Sequence, residues 1–250
     1  MSLAFNDTST HKGIIQKLER LVYGQDAVGR ISGNTTLLKQ WTAEVNIALD
    51  RAFHLIFEAD GRWQFDDSNH TDYPIITTNL VANQRDYSFS ADSNSNLILS
   101  IQKIAILQSA TATLYAEIEP ADAQTDDYSP YVQNDTSVTG IPDRYDKLAN
   151  GIFLEPIPSY NATAGLKVYI SREGSYFAYT DTTKKPGFAG LYHEYLAVYP
   201  AWQYAQANNL ANQNGLLTNV QMLEDAIVRH YSKRAEDERD VLEPEPIIFL

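Results

Sequence analysis

The sequence predicts an α+β protein. It consists of an α-helical bundle formed by N- and C-terminal helices, an inserted antiparallel β-module of sandwich or barrel-like form, and an extended C-terminal tail. Three observations predict it. Apolar residues recur at helical spacing near both ends of the 250-residue chain. Between about Trp63 and Tyr176 the pattern changes to short period-two runs broken by Asn, Asp, Gly, Pro and Ser. The last residues combine alternate prolines with four consecutive apolar side chains. The expected units are residues 1–61 and 177–240 as the two halves of the bundle, 62–176 as the β-module and 241–250 as the tail. Neither helical half has enough partner surface to bury its own apolar stripe, so the halves must close on each other.

The first helix is expected from about Lys12 to Tyr23, behind the polar residues Thr8, Ser9 and Thr10. Ile14, Ile15, Leu18, Leu21 and Val22 form its stripe and Gly24 ends it. Asn34, Thr35 and Thr36 offer caps for the second helix, in which Leu38, Trp41, Val45, Ala48, Leu49, Ala52 and Ile56 advance by three or four. Phe53 and Phe57 widen the stripe, and Asp60-Gly61 closes the helix.

Eight strands follow: RWQF, YPIITTNL, RDYSF, LILSIQKIAIL, ATLYAEIE, DRYDKLA, GIFLEPI and GLKVYISRE. In the fourth run the alternation of Leu97, Leu99 and Ile101 slips at Gln102 and Lys103 before resuming at Ile104 and Ile106, the mark of a bulge. KLANG turns DRYDKLA back against GIFLEPI as a hairpin, which Pro156 and Pro158 stop. In the last strand Leu166, Val168 and Ile170 share one face. The acidic stretch from Pro120 to Thr139 has no period and is expected to be a long exposed loop. Helical spacing returns at Leu191, Tyr195, Val198 and Trp202, where Pro200 is expected to kink or split the helix. The last helix is expected over about Thr218 to Arg239, with Val220, Leu223, Ile227 and Tyr231 inward.

Composition removes several classes of function. With no cysteine there is no disulfide framework, thiolate metal site or cysteine nucleophile. No basic and apolar leader opens the chain, and no run reaches the roughly 18 apolar residues of a membrane span. A formal net charge of −13 repels phosphate and gains nothing from counterion release, which argues against sequence-specific nucleic-acid binding. The same charge suits a surface past which DNA slides.

No catalytic motif stands out, and the expectation is a non-enzyme without cofactor or metal. His11, His54, His70, His193 and His230 fall in no metal-ligand spacing. The cluster Asp66, Asp67, Asn69, His70, Asp72 has oxygen ligands for a cation but lacks the glycine and distal glutamate of an EF-hand loop, and reads as a solvated turn. The strongest candidate site is the tail. Pro244 and Pro246 hold it extended, and Val241, Leu242, Ile247, Ile248, Phe249 and Leu250 supply apolar surface, each large side chain gaining roughly 1.5–3 kcal/mol on burial. Two readings fit it: folding back onto its own domain as an edge strand, and docking on another subunit or protein, the second being favoured.

Three stretches carry a resemblance: LERLVYGQD with the long helix after it, IPDRYDKLANGIFLEPIPSYNATAGLKVYISREGSYF, and DTTKKPGFAGLYHEYLAVYPAWQYA. In phrasing and order of elements the chain resembles head-to-tail adaptor (connector) proteins of tailed bacteriophages. The resemblance implies a homo-oligomeric ring, commonly of twelve copies, in the virion neck after assembly in the host cytoplasm. Its partners would be the portal protein and a downstream tail or stopper protein, with DNA passing through the ring. It implies no catalytic residues, and it gives Val241 through Leu250 the role of reaching the portal. The alternative expectation is a tail-associated carbohydrate- or protein-binding β-module presenting Tyr73, Tyr87, Tyr115, Tyr128, Tyr131 and Tyr145. A third is a hydrolase using Asp126 and Asp127.

Overall fold

The computed structural model describes residues 2–59, 75–91, 95, 97–121, 138–148 and 151–232. These form a mixed α+β structure with four α-helices and a curled seven-stranded sheet.

Helix α1 runs Ile14–Tyr23 and ends where predicted, at Gly24, whose φ of 96° is a conformation glycine adopts without Cβ strain. Its start is two residues later than expected because the preceding polar residues form their own turn. Asp7 Oδ1 accepts hydrogen bonds from the backbone of Ser9 and Thr10. Helix α2, Thr35–Ala59, is capped by Asn34, whose Oδ1 accepts from the amides of Thr36 (3.0 Å) and Leu37 (3.2 Å). Its expected stripe is buried from Leu38 to Ile56.

Pro200 neither splits the third helix nor ends it. Helix α3 continues through it from Tyr195 to Ala207, because the proline's missing donor costs one bond while Leu196, Ala197, Val198, Ala201 and Ala205 are all buried. Leu191 does not belong to that stripe: it lies in a 3₁₀ turn, Gly190–Tyr192, and is 71% exposed. Helix α4, Gln213–Ser232, begins earlier than expected and buries Leu216, Val220, Ile227 and Tyr231.

One apolar core joins residues from both ends of the sequence: Phe5, Ile14, Leu18, Val45, Leu49 and Ile56 with Phe177, Phe188, Leu196, Val220 and Tyr231. Polar links cross it. Glu224 of α4 accepts from the Tyr195 hydroxyl of α3 at 2.8 Å and from Arg51 Nε of α2 at 3.3 Å. His193 is fully buried, its Nδ1 3.1 Å from the Leu3 amide and its Nε2 2.8 Å from the Phe188 carbonyl, which pins the N-terminal segment beside α3.

Strands β1 (Ile75–Leu80), β2 (Asp86–Ser88), β3 (Ile98–Leu107), β4 (Tyr115–Pro120), β6 (Arg144–Leu148), β7 (Gly151–Glu155) and β9 (Ala162–Arg172) make one sheet in the order β1-β9-β3-β4-β6-β7-β2. The sheet must curl. Lying flat it would separate β1 from β2 by roughly 29 Å at the usual strand spacing, yet only residues 81–85 join them, a reach of about 21 Å at full extension. Leu80 and Tyr87 accordingly share one core with Ile104, Ile106, Leu154, Leu166 and Val168.

The expected antiparallel module needs a correction. The β4–β6 pair is parallel, as is the small pair of β5 (Thr139–Gly140) with β8 (Ile157–Pro158). A long connection, residues 121–143, separates β4 from β6 and leaves room for a crossover that a tight turn would not. The prolines also do less than expected, since β8 resumes pairing immediately after Pro156. The hairpin itself is present, with Leu148 opposite Gly151 and Arg144 opposite Glu155. The register of β3 against β9 shifts between Ile101 and Lys103, at the residue where alternation slipped. Gln102 Nε2 donates to Ser171 Oγ at 2.9 Å across the shift. RWQF lies outside the described residues.

Burial gives the helical core a pH limit. Tyr195 is fully buried, and desolvation, followed by its hydrogen bond to Glu224, pushes its ionisation well above 10.0. Tyr176, although 44% exposed, is pushed up to about 12 by partial desolvation and by donating to Asp50. A proton held more tightly in the folded chain stabilises fully below the unfolded value and is lost as pH rises. Stability should therefore be flat with respect to these groups below pH 10 and fall above it, for Tyr195 by about 1.4 kcal/mol per pH unit until the folded group ionises. Urea melts between pH 8 and 11.5, paired with tyrosinate absorbance, measure this. Buried tyrosines should ionise together with unfolding rather than before it.

Candidate functional site

Each turn of α2 from Leu37 to Glu44 presents a residue to one side: Leu37, then Gln40 and Trp41, then Glu44. Helix α3 faces it with Pro200, Gln203 and Tyr204, and Ala207 at the same spacing. Tyr23, the last residue of α1, closes one end. The result is an open groove of about 580 Å³ with aromatic walls. Trp41 and Tyr204 stand 5.5 Å apart between centroids and Tyr23 and Tyr204 6.3 Å, both tilted. Gln40, Glu44 and Gln203 supply the polar rim, and Gln203 is itself held by donating to the Tyr199 hydroxyl at 3.2 Å.

The rigidity of the Tyr23 wall comes from a residue that sequence reasoning missed. Glu19 is buried, 1% exposed, and its carboxylate accepts hydrogen bonds from the backbone of Gly29 (3.2 Å), Ile31 (2.8 Å) and Ser32 (2.7 Å) and from Ser32 Oγ (2.9 Å). That fixes the α1–α2 loop, whose Arg30 guanidinium lies 4.3 Å over the Tyr23 ring. The available signal was an acid on the apolar face of a helix followed by a glycine-rich loop, Gly24 to Gly33.

The predicted tail residues, Val241, Leu242, Pro244, Pro246, Ile247, Ile248, Phe249 and Leu250, lie outside the described residues, as do the Asp66–Asp72 cluster and Asp126 and Asp127. Of the tyrosines offered as a binding platform, Tyr87 and Tyr145 are buried in the sheet core, and the Tyr115 hydroxyl donates to the Ala164 carbonyl at 2.6 Å. Tyr73, Tyr128 and Tyr131 also lie outside the described residues. Among the histidines, His54 faces solvent beside Glu58, at 3.8 Å, rather than the core. His230 packs on Tyr192 and Tyr231. Among the described residues no group of three His, Asp or Glu side chains could hold a metal ion.

The groove therefore offers aromatic faces, a partly buried leucine and amide hydrogen-bonding groups, with no nucleophile set against a base. Such a lining can take up an apolar or aromatic group, from a small molecule or from another protein surface. No helix among the described residues is long and apolar enough to cross a membrane. The chain matches no family model, and no curated protein matches it.

Proposed function

We propose that this chain is the subunit of a head-to-tail adaptor ring of a tailed bacteriophage. In this reading it is a helical bundle with an inserted β-module, copied about twelve times around an axis, seated between the portal protein and a tail or stopper protein. The observation that carries the reading is the helical core drawn from both ends of the chain, which leaves an apolar, aromatic-walled groove open on its side. A subunit built to stand alone would gain by covering that groove; one built for a ring leaves it for a neighbour.

The charge supports the same reading. A net −13 per copy, repeated around a conduit, lets DNA pass without adhering. Val241 to Leu250 are proposed to engage the portal, and the ring is proposed to sit in the virion neck after assembly in the host cytoplasm.

Native mass spectrometry of the purified protein and negative-stain images of assembled particles test the proposal. The expected result is a multi-copy ring between head and tail. Leu37→Glu, which places a charge at the groove without entering the deepest core, should weaken each contact between neighbouring subunits at least tenfold, about 1.4 kcal/mol or more per interface, and so abolish the ring while circular dichroism stays unchanged. A protein that stays monomeric at all concentrations and is missing from particles would overturn the reading.

A further inference from the structure

A second hollow, of about 290 Å³, lies at the opposite end of α3 from the aromatic groove. Leu3, Lys12, Lys17, Arg20, Leu191 and Glu194 line it. Its charge runs against that of the chain, which has 32 acidic and 19 basic residues: three cations meet one carboxylate. Lys17 pairs with Glu194 at 2.7 Å and Arg20 Nη1 donates to the His11 carbonyl at 2.9 Å. Lys12 is exposed and has no ion pair among the described residues. Beside these cations Leu191 stands 71% exposed. A large apolar side chain flanked by cations suits a ligand that is both acidic and apolar.

The sequence holds such a ligand within reach. Helix α4 delivers the chain to this end of the molecule, since the Tyr231 hydroxyl accepts from the Ala189 amide at 2.9 Å and His230 packs 5.3 Å from Tyr192. Both contacts are to residues adjoining Gly190 and Leu191. Residues 233–250 then follow, with six acidic residues against three basic ones and with Ile247, Ile248, Phe249 and Leu250 last. Those 18 residues span up to about 60 Å when extended, and they start from residues that touch the neighbours of Gly190 and Leu191.

We propose that in the free subunit the segment Glu243–Leu250 docks on its own chain in this hollow. The carboxylates of Glu243 and Glu245 face Lys12 and Arg20, and the apolar residues cover Leu3 and Leu191. The docking is intramolecular, so it works at the high effective concentration of a tethered ligand. It does not depend on the adaptor reading.

The absence of cysteine makes the test direct. A full-length variant carrying Leu191→Cys and Ile248→Cys, mildly oxidised at low concentration, should form an intramolecular disulfide that migrates faster on a non-reducing gel. A control with Leu114→Cys, at an exposed position in the bend just before β4, in place of Leu191→Cys should not. Adding Lys12→Glu and Arg20→Glu, or raising the salt to about 1 M, should lower the yield roughly fivefold by removing or screening the attraction. A yield no greater than that of the control overturns the proposal. So does a ladder of intermolecular species that grows with protein concentration, which would make a neighbouring copy the occupant. A second measurement needs no cysteine: tryptic cleavage after Lys12 should be several-fold faster in the chain ending at residue 240 than in the full chain, and equal rates overturn the proposal.

Discussion

Replacing Glu19 with alanine should lower the unfolding free energy by about 3–5 kcal/mol, among the largest losses of any single substitution in the helical core. The carboxylate accepts four hydrogen bonds, three of them at Oε1 and the fourth, from Gly29, at Oε2. Its removal leaves the Ile31 amide inside the protein without an acceptor and sets the Ser32 and Gly29 amides free in partly buried positions. Each such donor costs about 1–3 kcal/mol, less where water can reach it. Glu19→Gln separates charge from geometry. The amide oxygen can still take the three bonds made at Oε1, while its NH₂ meets the Gly29 N–H donor to donor, so the loss should be about 1–2 kcal/mol. Urea unfolding with an unchanged m-value measures both. The alanine variant should also lose the Arg30 contact on Tyr23 and loosen that wall of the groove. Equal losses for alanine and glutamine would show that the bonds at Oε1 are not what matters.

The contrast between Glu19 and its neighbours explains how far the sequence could be read. Ile15, Leu18 and Val22 announce a helix and its buried face because apolar burial is periodic and local. Glu19 lies on that same face, and its partners are ten to thirteen residues further on, in a loop whose path only tertiary packing decides. The strand runs were legible for the same reason as the helices, and the bulge at Gln102 showed as a slip in alternation. Strand order was not. That β1 and β2, neighbours in sequence, occupy opposite edges of a sheet that curls to bring them together depends on pairings over 60 to 94 residues, such as Ile106 with Leu166 and Ile75 with Tyr169. β5, two residues long, is too short for any period to mark. Leu191 misled because its spacing to Tyr195 fits a helical stripe, while the helix begins only after it. The groove combines residues from three helices whose individual stripes were visible, but nothing local says which stripe residues remain uncovered.

Gly174→Ala should cost about 2–4 kcal/mol, although alanine is the smallest possible addition. A Cβ at this position would stand 1.7 Å from Cε2 of Phe53, 2.5 Å from its Cζ and 2.7 Å from its Cδ2. Phe53 has little room to yield. It is 5% exposed in the middle of α2 and meets the edge of Phe188 at 6.1 Å, 83° between planes. The backbone must come this close because the chain leaving β9 is held against α2 immediately afterwards. Asn46 Oδ1 accepts from the Phe177 amide at 2.9 Å, Asn46 Nδ2 donates to the Phe177 carbonyl at 3.0 Å, and the Tyr176 hydroxyl donates to Asp50 at 2.8 Å. The alanine therefore has to displace the ring or pull that segment off the helix, and either loosens the joint between the sheet and the helical core. A double-mutant cycle distinguishes lack of room from other causes. Phe53→Ala alone should cost about 3–5 kcal/mol through the cavity it leaves. In the Phe53→Ala background the added methyl at position 174 should be nearly neutral, because the atoms it struck are gone, so the coupling should be of the order of the single Gly174→Ala loss. Additive losses would mean that backbone conformation, not the Phe53 ring, makes glycine necessary at this point.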